Sequence, residues 1–432
     1  MFRTGTIMWT ALFVLATLTA GPAIAEGEAE SESLLDALAS GTPSIDARLR
    51  YEHAEADDQD ESDALTIRTR LGYTTAPYHG VSATVEFEDV SSLTDDDYNQ
   101  AGLNPEGAGK TVIADVEGTE LNQAYLDLTC PVTGVKARAG RQRIILGNAR
   151  FIGNVGWRQN EQTYDAVRID TPEMLDSLKL TYAYLDSVRR IFGQDNGSEP
   201  EGAAGNAATY DSDSHLVNMA ITPCDHLTAT AYAYLLDFGP GAVGEANSSD
   251  TYGINCAMGH TFDNGVKSGL QLEYARQADN DGTTAGVDYD ADYIMADLST
   301  GLKGIGLGVG YEQLGSDNGS QFRTPLATGH KYNGWADVFL TAPAEGLQDT
   351  YAYINLKCPK DFMPTIKIVY HDFESDEGGI SYGDEIDVVA TKKCNDRLTL
   401  IAKYANYQAD DGADNPRASD VERISVQAGL TF

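Results

Sequence analysis

Arginines recur at every second position in two early segments: Arg48 and Arg50 within Ile45–Glu52, then Arg68 and Arg70 within Leu65–Tyr73. In an extended chain alternate side chains share a face, so each pair projects from one side of its segment. Guanidinium groups gathered on one wall give carboxylates forked, charge-assisted hydrogen bonds, and a ring of them lowers the barrier for an anion entering a pore. Arg138 and Arg168 join this set by the same parity. Carboxylates fall on the same faces: Glu86, Glu88, Asp127, Asp165 and Asp170. They either pair with the arginines as a lattice that stiffens the wall or leave a net positive ring at its narrowest level.

The residue inventory offers little for other chemistry. The seven histidines are scattered, no G-x-S-x-G occurs, and no Ser/His/acid set recurs, so a barrel-borne hydrolase is the alternative rather than the main reading. Five cysteines (130, 224, 256, 358 and 394) form no C-x-x-C or Cys/His metal spacing. Disulfides between neighbouring turns stay open as an expectation, with at least one thiol left over. No catalytic residue, metal centre or cofactor is expected, apart from divalent cations held loosely by acidic loops.

The elements that must position these side chains alternate with period two. Ile45, Ala47, Leu49 and Tyr51 take one face of their segment, and Asp46, Arg48, Arg50 and Glu52 the other. Further segments repeat the pattern, joined by connectors that are alternately short and long. Eight short and nine long connectors imply 18 strands, and transmembrane barrels have an even number, short periplasmic turns and long outer loops. The last segment puts Ile424, Val426, Ala428, Leu430 and Phe432 on one face and ends the chain on that aromatic, as barrels handled by the outer-membrane assembly machinery do.

Residues 1–25 read as a secretory signal peptide, with Arg3, an apolar stretch and Ala23-Ile24-Ala25 before Glu26. Residues 26–43 form a short periplasmic segment with a helix around Ser31–Ala39, and 44–432 the barrel, lodged in a Gram-negative cell outer membrane. A net charge of −36 and a pI near 4.3 exclude nucleic-acid binding through general charge. The acidic surplus falls in the outer connectors, such as Asp57–Asp63 and Asp95–Asp97, where it would face lipopolysaccharide and form an acidic vestibule that repels polyanions from outside. A soluble carbohydrate-binding β-protein is disfavoured by the apolar outer faces and the closing Phe432.

Three stretches resemble the alginate export family of outer-membrane porins. They are Pro43–Glu52 with Arg68–Tyr73; Glu120–Leu126 with Gly140–Gln142 and Arg150–Asp165; and Thr324–Asp337. The resemblance implies an 18-stranded barrel whose founding members export the polyuronate alginate through a basic pore, and it adds Arg141, Arg143 and Arg158 to the lumen set. Strand parity places Arg141 with the lipid-facing Ala137 and Ala139, so a bulge at Gly140 is expected to reset the register. The long insert Ser316–Gln348, carrying Lys331 and Trp335, is a candidate inward-folding lid. The sequence therefore predicts an outer-membrane porin for anionic or sugar-like solutes, with polyuronate export and a general non-selective porin both open.

Overall fold

The structure is a computed structural model that describes residues 31–94, 98–175, 177–193, 207–239, 246–280, 288–358 and 362–432. The expected signal peptide and Asp95–Asp97 lie outside the described residues. A short helix, α1 (Leu34–Ala39), is capped by Ser33, whose side chain accepts a hydrogen bond from the Asp36 amide. The strands follow as β1 (Thr42–Ala56), β2 (Gln59–Thr74), β3 (Val81–Ser92), β4 (Gly118–Thr129), β5 (Lys136–Gln142), β6 (Thr163–Asp170) and β7 (Leu178–Arg189). Next are β8 (Thr209–Cys224), β9 (Leu227–Leu236), β10 (Ser249–Thr261), β11 (Lys267–Asp279), β12 (Asp290–Leu302) and β13 (Ile305–Leu314). A small hairpin, β14 (Ser316–Asp317) with β15 (Ser320–Gln321), precedes β16 (Leu347–Lys357), β17 (Thr365–Glu374), β18 (Ser381–Lys393), β19 (Leu398–Ala409) and β20 (Val421–Thr431).

Every strand but the hairpin belongs to one antiparallel 18-stranded sheet, closed where β1 pairs with β20. Closure removes the free edges that lipid could not satisfy. Phe432 completes the seam: its amide donates to Ile45 O (2.9 Å), the Ile45 amide donates to Phe432 O (3.2 Å), and the Arg397 guanidinium lies 4.7 Å from its ring centre. Leu49, Leu71, Phe87, Leu126, Leu298, Val309 and Val426 are exposed on the outer surface, while Arg50, Glu52, Arg68 and Glu88 are buried inside, as the period-two pattern requires.

Three expectations are corrected. The segment Asp57–Asp63 is not a loop, because β1 and β2 are joined by a two-residue turn and Gln59 already belongs to β2. No bulge forms at Gly140: β5 pairs with both β4 and β6 without a register shift, Gly140 absorbing the local twist with φ +123°. The shifts fall one strand away on each side, between Glu86 and Phe87 in the β3–β4 ladder and between Asp165 and Ala166 in β6–β7. All five cysteines are free thiols, so the turns are not tied by disulfides.

Candidate channel constriction

Two long outer connectors, 143–162 and 315–346, turn into the barrel instead of lying over its rim. They contain Arg150–Gln162 of the second resembling stretch and the whole of the third, and they hold each other: Ile152 and Leu326 bridge, the Gly153 amide donates to Leu326 O (2.8 Å), the Thr328 amide to Ala149 O (3.0 Å), and Gln162 Nε2 to both Gly153 O (3.0 Å) and Leu326 O (3.2 Å). Their apolar side joins one wall. Phe151 packs against Tyr232, Tyr234, Tyr293 and Phe322, and Phe339 against Phe373, Tyr382 and Tyr407, all buried. Rings in tilted and edge contacts of this kind fix a position beyond what their buried area alone supplies.

The opposite side of the loops is polar and meets the arginine-bearing strands. Arg48 Nη1 donates to the carbonyls of Trp157 (3.0 Å) and Arg158 (3.1 Å), and Nη2 to that of Gly156 (3.2 Å). Arg50 donates to Trp157 O (2.6 Å) and Glu52 (2.7 Å), with its guanidinium 4.0 Å from the Trp157 ring centre. Glu52 is the hub of this side: besides Arg50 it accepts from Arg158 (3.2 Å) and from Arg423 of β20 (3.1 Å), with its side chain only 3% exposed. Arg158 also reaches Asp337 in the other loop (2.6 Å), and the Gln159 amide binds Asp115 (3.0 Å).

Glu161 forms a second junction, pairing with Arg143 (2.6 Å to Nε), Arg70 (3.5 Å) and Asn122 (2.7 Å). Burial pushes its carboxyl up, but the charges of Arg70 and Arg143 and their hydrogen bonds outweigh that and hold it down at about 2. Arg150 is a third junction, bonding Glu312 of β13 (2.7 Å) and Asn333 (2.9 Å). On β17 and β18, His371 pairs with Asp349 (2.9 Å), the Ala336 amide donates to Glu385 (2.7 Å), and the Trp335 amide donates to Asp387 (3.1 Å).

The arginines expected from sequence separate into groups. Arg138 forks onto Asp127 (2.7 and 2.8 Å) over the Tyr125 ring, and Arg168 pairs with Asp170 (2.8 Å), both near the short-turn rim. Arg68 pairs with Asp46 and Arg70 with Glu88 in mid-wall. Glu86 accepts from Asn122 (2.8 Å) and Gln123 (2.9 Å). Arg141 stays on the parity of Ala139, opposite Ala124, and is neutralised by Asp165 (2.8 and 2.9 Å) with a further bond to Leu121 O. Arg48 differs from all of these, since every hydrogen bond it donates goes to a neutral carbonyl. Among the described residues, its charge has no carboxylate within ion-pair range.

Lys331 donates to Asn148 O (2.6 Å), joining the two inner loops at their exposed edge, while Trp335 lies partly buried over Lys403 of β19. Sequence reasoning missed Lys403, which sits between the Trp157 and Trp335 rings (3.7 and 4.3 Å) with Nζ 2.6 Å from His330 Nε2. Its signal was available: it is the single cation in Leu398–Ala409, on the face of Ala405 and Tyr407. Glu52 was legible as inward-facing, but that three arginines from distant elements converge on it was not.

Above the junctions lies a chamber of about 570 Å³ bordered by Arg150, Arg158, Arg190, Arg323 and Arg423, with Asp337 its one acid among the described residues. The expected acidic vestibule concerns the outer mouth; the inner chamber is bordered instead by five arginines. One group of metal-ligand type occurs among the described residues, His53, Glu55 and Glu61, whose donor atoms lie within 4.8 Å of one another at the outer end of β1 and β2.

A search of curated protein sequences finds no match. Solved structures share the whole architecture. Acinetobacter baumannii OccAB4 superposes with a TM-score of 0.65 at 13% identity over 91% of this chain and 98% of that one. Pseudomonas aeruginosa OccK9 (OpdG) gives 0.68 at 15% over 92% and 100%. Pseudomonas aeruginosa OpdK with vanillate gives 0.65 at 14% over 90% and 98%. At these identities the likeness establishes the fold. The alginate export family model matches residues 42–182, which includes the arginine strands and the inner loop 143–162 but not Thr324–Asp337. With its apolar outer belt, the chain is an 18-stranded barrel of the outer-membrane porin fold, lodged in the cell outer membrane, and its residues 42–182 match the model of the alginate export family.

Proposed function

We propose that the barrel is a channel for small carboxylate-bearing solutes, which pass along the polar seam between the inner loops and the arginine strands β1–β5. The observation that carries this reading is the asymmetry of the loops' seating. Around Phe151 and Phe339 the loops are seated through aromatic clusters, whereas toward β1–β5 they present guanidiniums, carbonyls and carboxylates that an ionic solute can exchange for its own hydration shell. Arg48, mid-wall and bonded only to neutral acceptors, leaves that seam with fixed positive charge. Vanillate, found in the OpdK structure, is an aromatic carboxylate, which is consistent with such a path.

Polyuronate export is the second reading, favoured by the alginate export match over 42–182. A polyuronate and a small organic acid present the same carboxylate chemistry and differ in length. The absence of any reaction is part of the proposal, as are the lack of a resident cofactor, contact with lipopolysaccharide, and recognition of Phe432 by the assembly machinery.

The test is reversal potential across a salt gradient in a planar bilayer, followed by titration with galacturonate, benzoate and oligouronates on either side. The expected result is anion preference with block by the monomeric acids, reduced in Arg48→Ala. Block by oligouronates alone would favour polyuronate passage. Cation preference without block by any acid would refute the carboxylate reading and leave a general porin.

A further inference from the structure

Lys403, His330 and Asp337 form a chain that joins three separate parts of the protein. Lys403 stands on the wall, His330 and Asp337 on loop 315–346, and the Trp157 ring that covers them on loop 143–162. His330 Nδ1 is 2.6 Å from Asp337 Oδ1, its Nε2 is 2.6 Å from Lys403 Nζ, and its ring stacks on Trp157 at 4.5 Å and 4°. His330 is 6% exposed.

An ammonium has three donors and no acceptor. Its contact with Nε2 therefore requires a lone pair there, which leaves the imidazole proton on Nδ1, donated to Asp337. The Lys403 ammonium makes a cation–π contact with each of the two tryptophan faces around it. The arrangement is complete only while His330 is neutral, because a proton on Nε2 would set two cationic donors against each other at hydrogen-bond distance.

We infer that Lys403 is a positioning residue that bolts both inner loops to the wall, and that the bolt releases as His330 takes up a proton. The surroundings reinforce this. Facing His330 are Asp337 on its own loop, Arg158 on the other loop and Lys403 on β19. Facing Lys403 and Asp337 are Arg50 and Glu52 of β1, Asp387 of β18 and Arg423 of β20. Burial, with Lys403 and Arg158 adding to it against Asp337, holds the seated imidazole down at about 3. A released imidazole titrates near the usual 6.5. Between those values the released form carries the extra proton, so each pH unit of acidification raises the released-to-seated ratio by up to tenfold, about 150-fold from pH 6.5 to 4.

The inference concerns the loops and stands whether or not the barrel conducts; in a conducting barrel it is an acid-opened gate. The protein carries its own reporter. Of its three tryptophans, Trp9 lies in the expected leader, so in a chain beginning at Glu26 intrinsic tryptophan emission comes from Trp157 and Trp335 alone. In the folded barrel in detergent, emission is expected to shift to the red as pH falls from 7.5 to 4. His330→Gln, which keeps neutral hydrogen-bonding groups but does not titrate, is expected to abolish the shift. Lys403→Met is expected to be red-shifted already at pH 7.5, with heat-modifiable migration showing that the barrel remains closed. Emission independent of pH in the unmodified protein, or an undiminished shift in His330→Gln, would overturn the inference. Conductance of the same samples separates the two readings: a barrel that shows the emission shift but passes no ions would refute the channel and leave the bolt standing.

Discussion

Replacing Glu52 with Gln tests the hub on which the polar side of the inner loops depends. Glu52 receives Arg50 at 2.7 Å, Arg158 at 3.2 Å and Arg423 at 3.1 Å, almost without solvent. An amide of the same shape accepts through one oxygen and turns an NH2 group toward guanidiniums that are themselves donors only. Arg50 keeps Asp115 at 3.6 Å and Arg158 keeps Asp337 at 2.6 Å, so two of the three arginines retain an anion, while Arg423 retains the carbonyls of Ala336 and Val112. Removing one partner from a buried ion cluster costs about 3 to 5 kcal/mol, and the surviving pairs put the expectation at the lower end, about 3 kcal/mol.

The loss falls on seating rather than on the barrel, because the ladder pairing of Glu52 with Ala64 and Ser425 involves backbone only. A seating loss of about 3 kcal/mol corresponds to roughly 10²-fold in the local opening equilibrium. Amide hydrogen exchange in the folded barrel reads this directly: amides of 150–162 are expected to exchange about 10²-fold faster, with those of β10–β13 unchanged. Acceleration below about fivefold in 150–162, or equal acceleration in β10–β13, would show that Glu52 does not hold the loops and would refute the reasoning.

Three further outcomes follow from the same geometry. Arg150→Met leaves Glu312 buried without its cation and is expected to cost about 3 to 5 kcal/mol, read as a lower temperature of heat-modifiable migration and as faster protease cleavage within 315–346. Gly334 has φ +84° and its missing Cβ points at the Glu385 carboxylate, so Gly334→Ala is expected to lift loop 315–346 from β18 and raise single-channel conductance; an unchanged conductance would contradict the seating described. The Glu161 carboxyl is held below its unfolded value, so its stabilisation is fully present above about pH 4.5 and is lost as pH falls toward about 2, a total of about 3 kcal/mol; Glu161→Gln is expected to flatten this part of the acid-unfolding profile, and an unaltered profile would sink the assignment.

Local patterning made the wall readable. Alternation in Ile45–Glu52 and Leu65–Tyr73 set which side of each strand meets lipid, and it placed Arg48, Arg50, Arg68 and Arg70 inside, because a strand has only two faces and lipid excludes charge from one of them. The same rule failed in two instructive places. At Arg141 the positive charge on the wrong parity implied a bulge, whereas the structure keeps the register and neutralises the charge with Asp165 instead. In Asp57–Asp63 the density of acids implied a loop, but acidic residues are tolerated in a strand where it emerges from the membrane into water.

The sequence alone determined the strand number, the closure of the last strand on its terminal phenylalanine, and the sign of the wall in β1 and β2, since each depends on neighbours one or two residues away. Tertiary structure decided the site. Glu52 gathers arginines separated from it by 106 and 371 positions, and Lys403 meets His330 across 73. Such partners follow from where two long connectors fold inside a closed cylinder, a geometry set by shape and charge complementarity across the lumen and written in no local period.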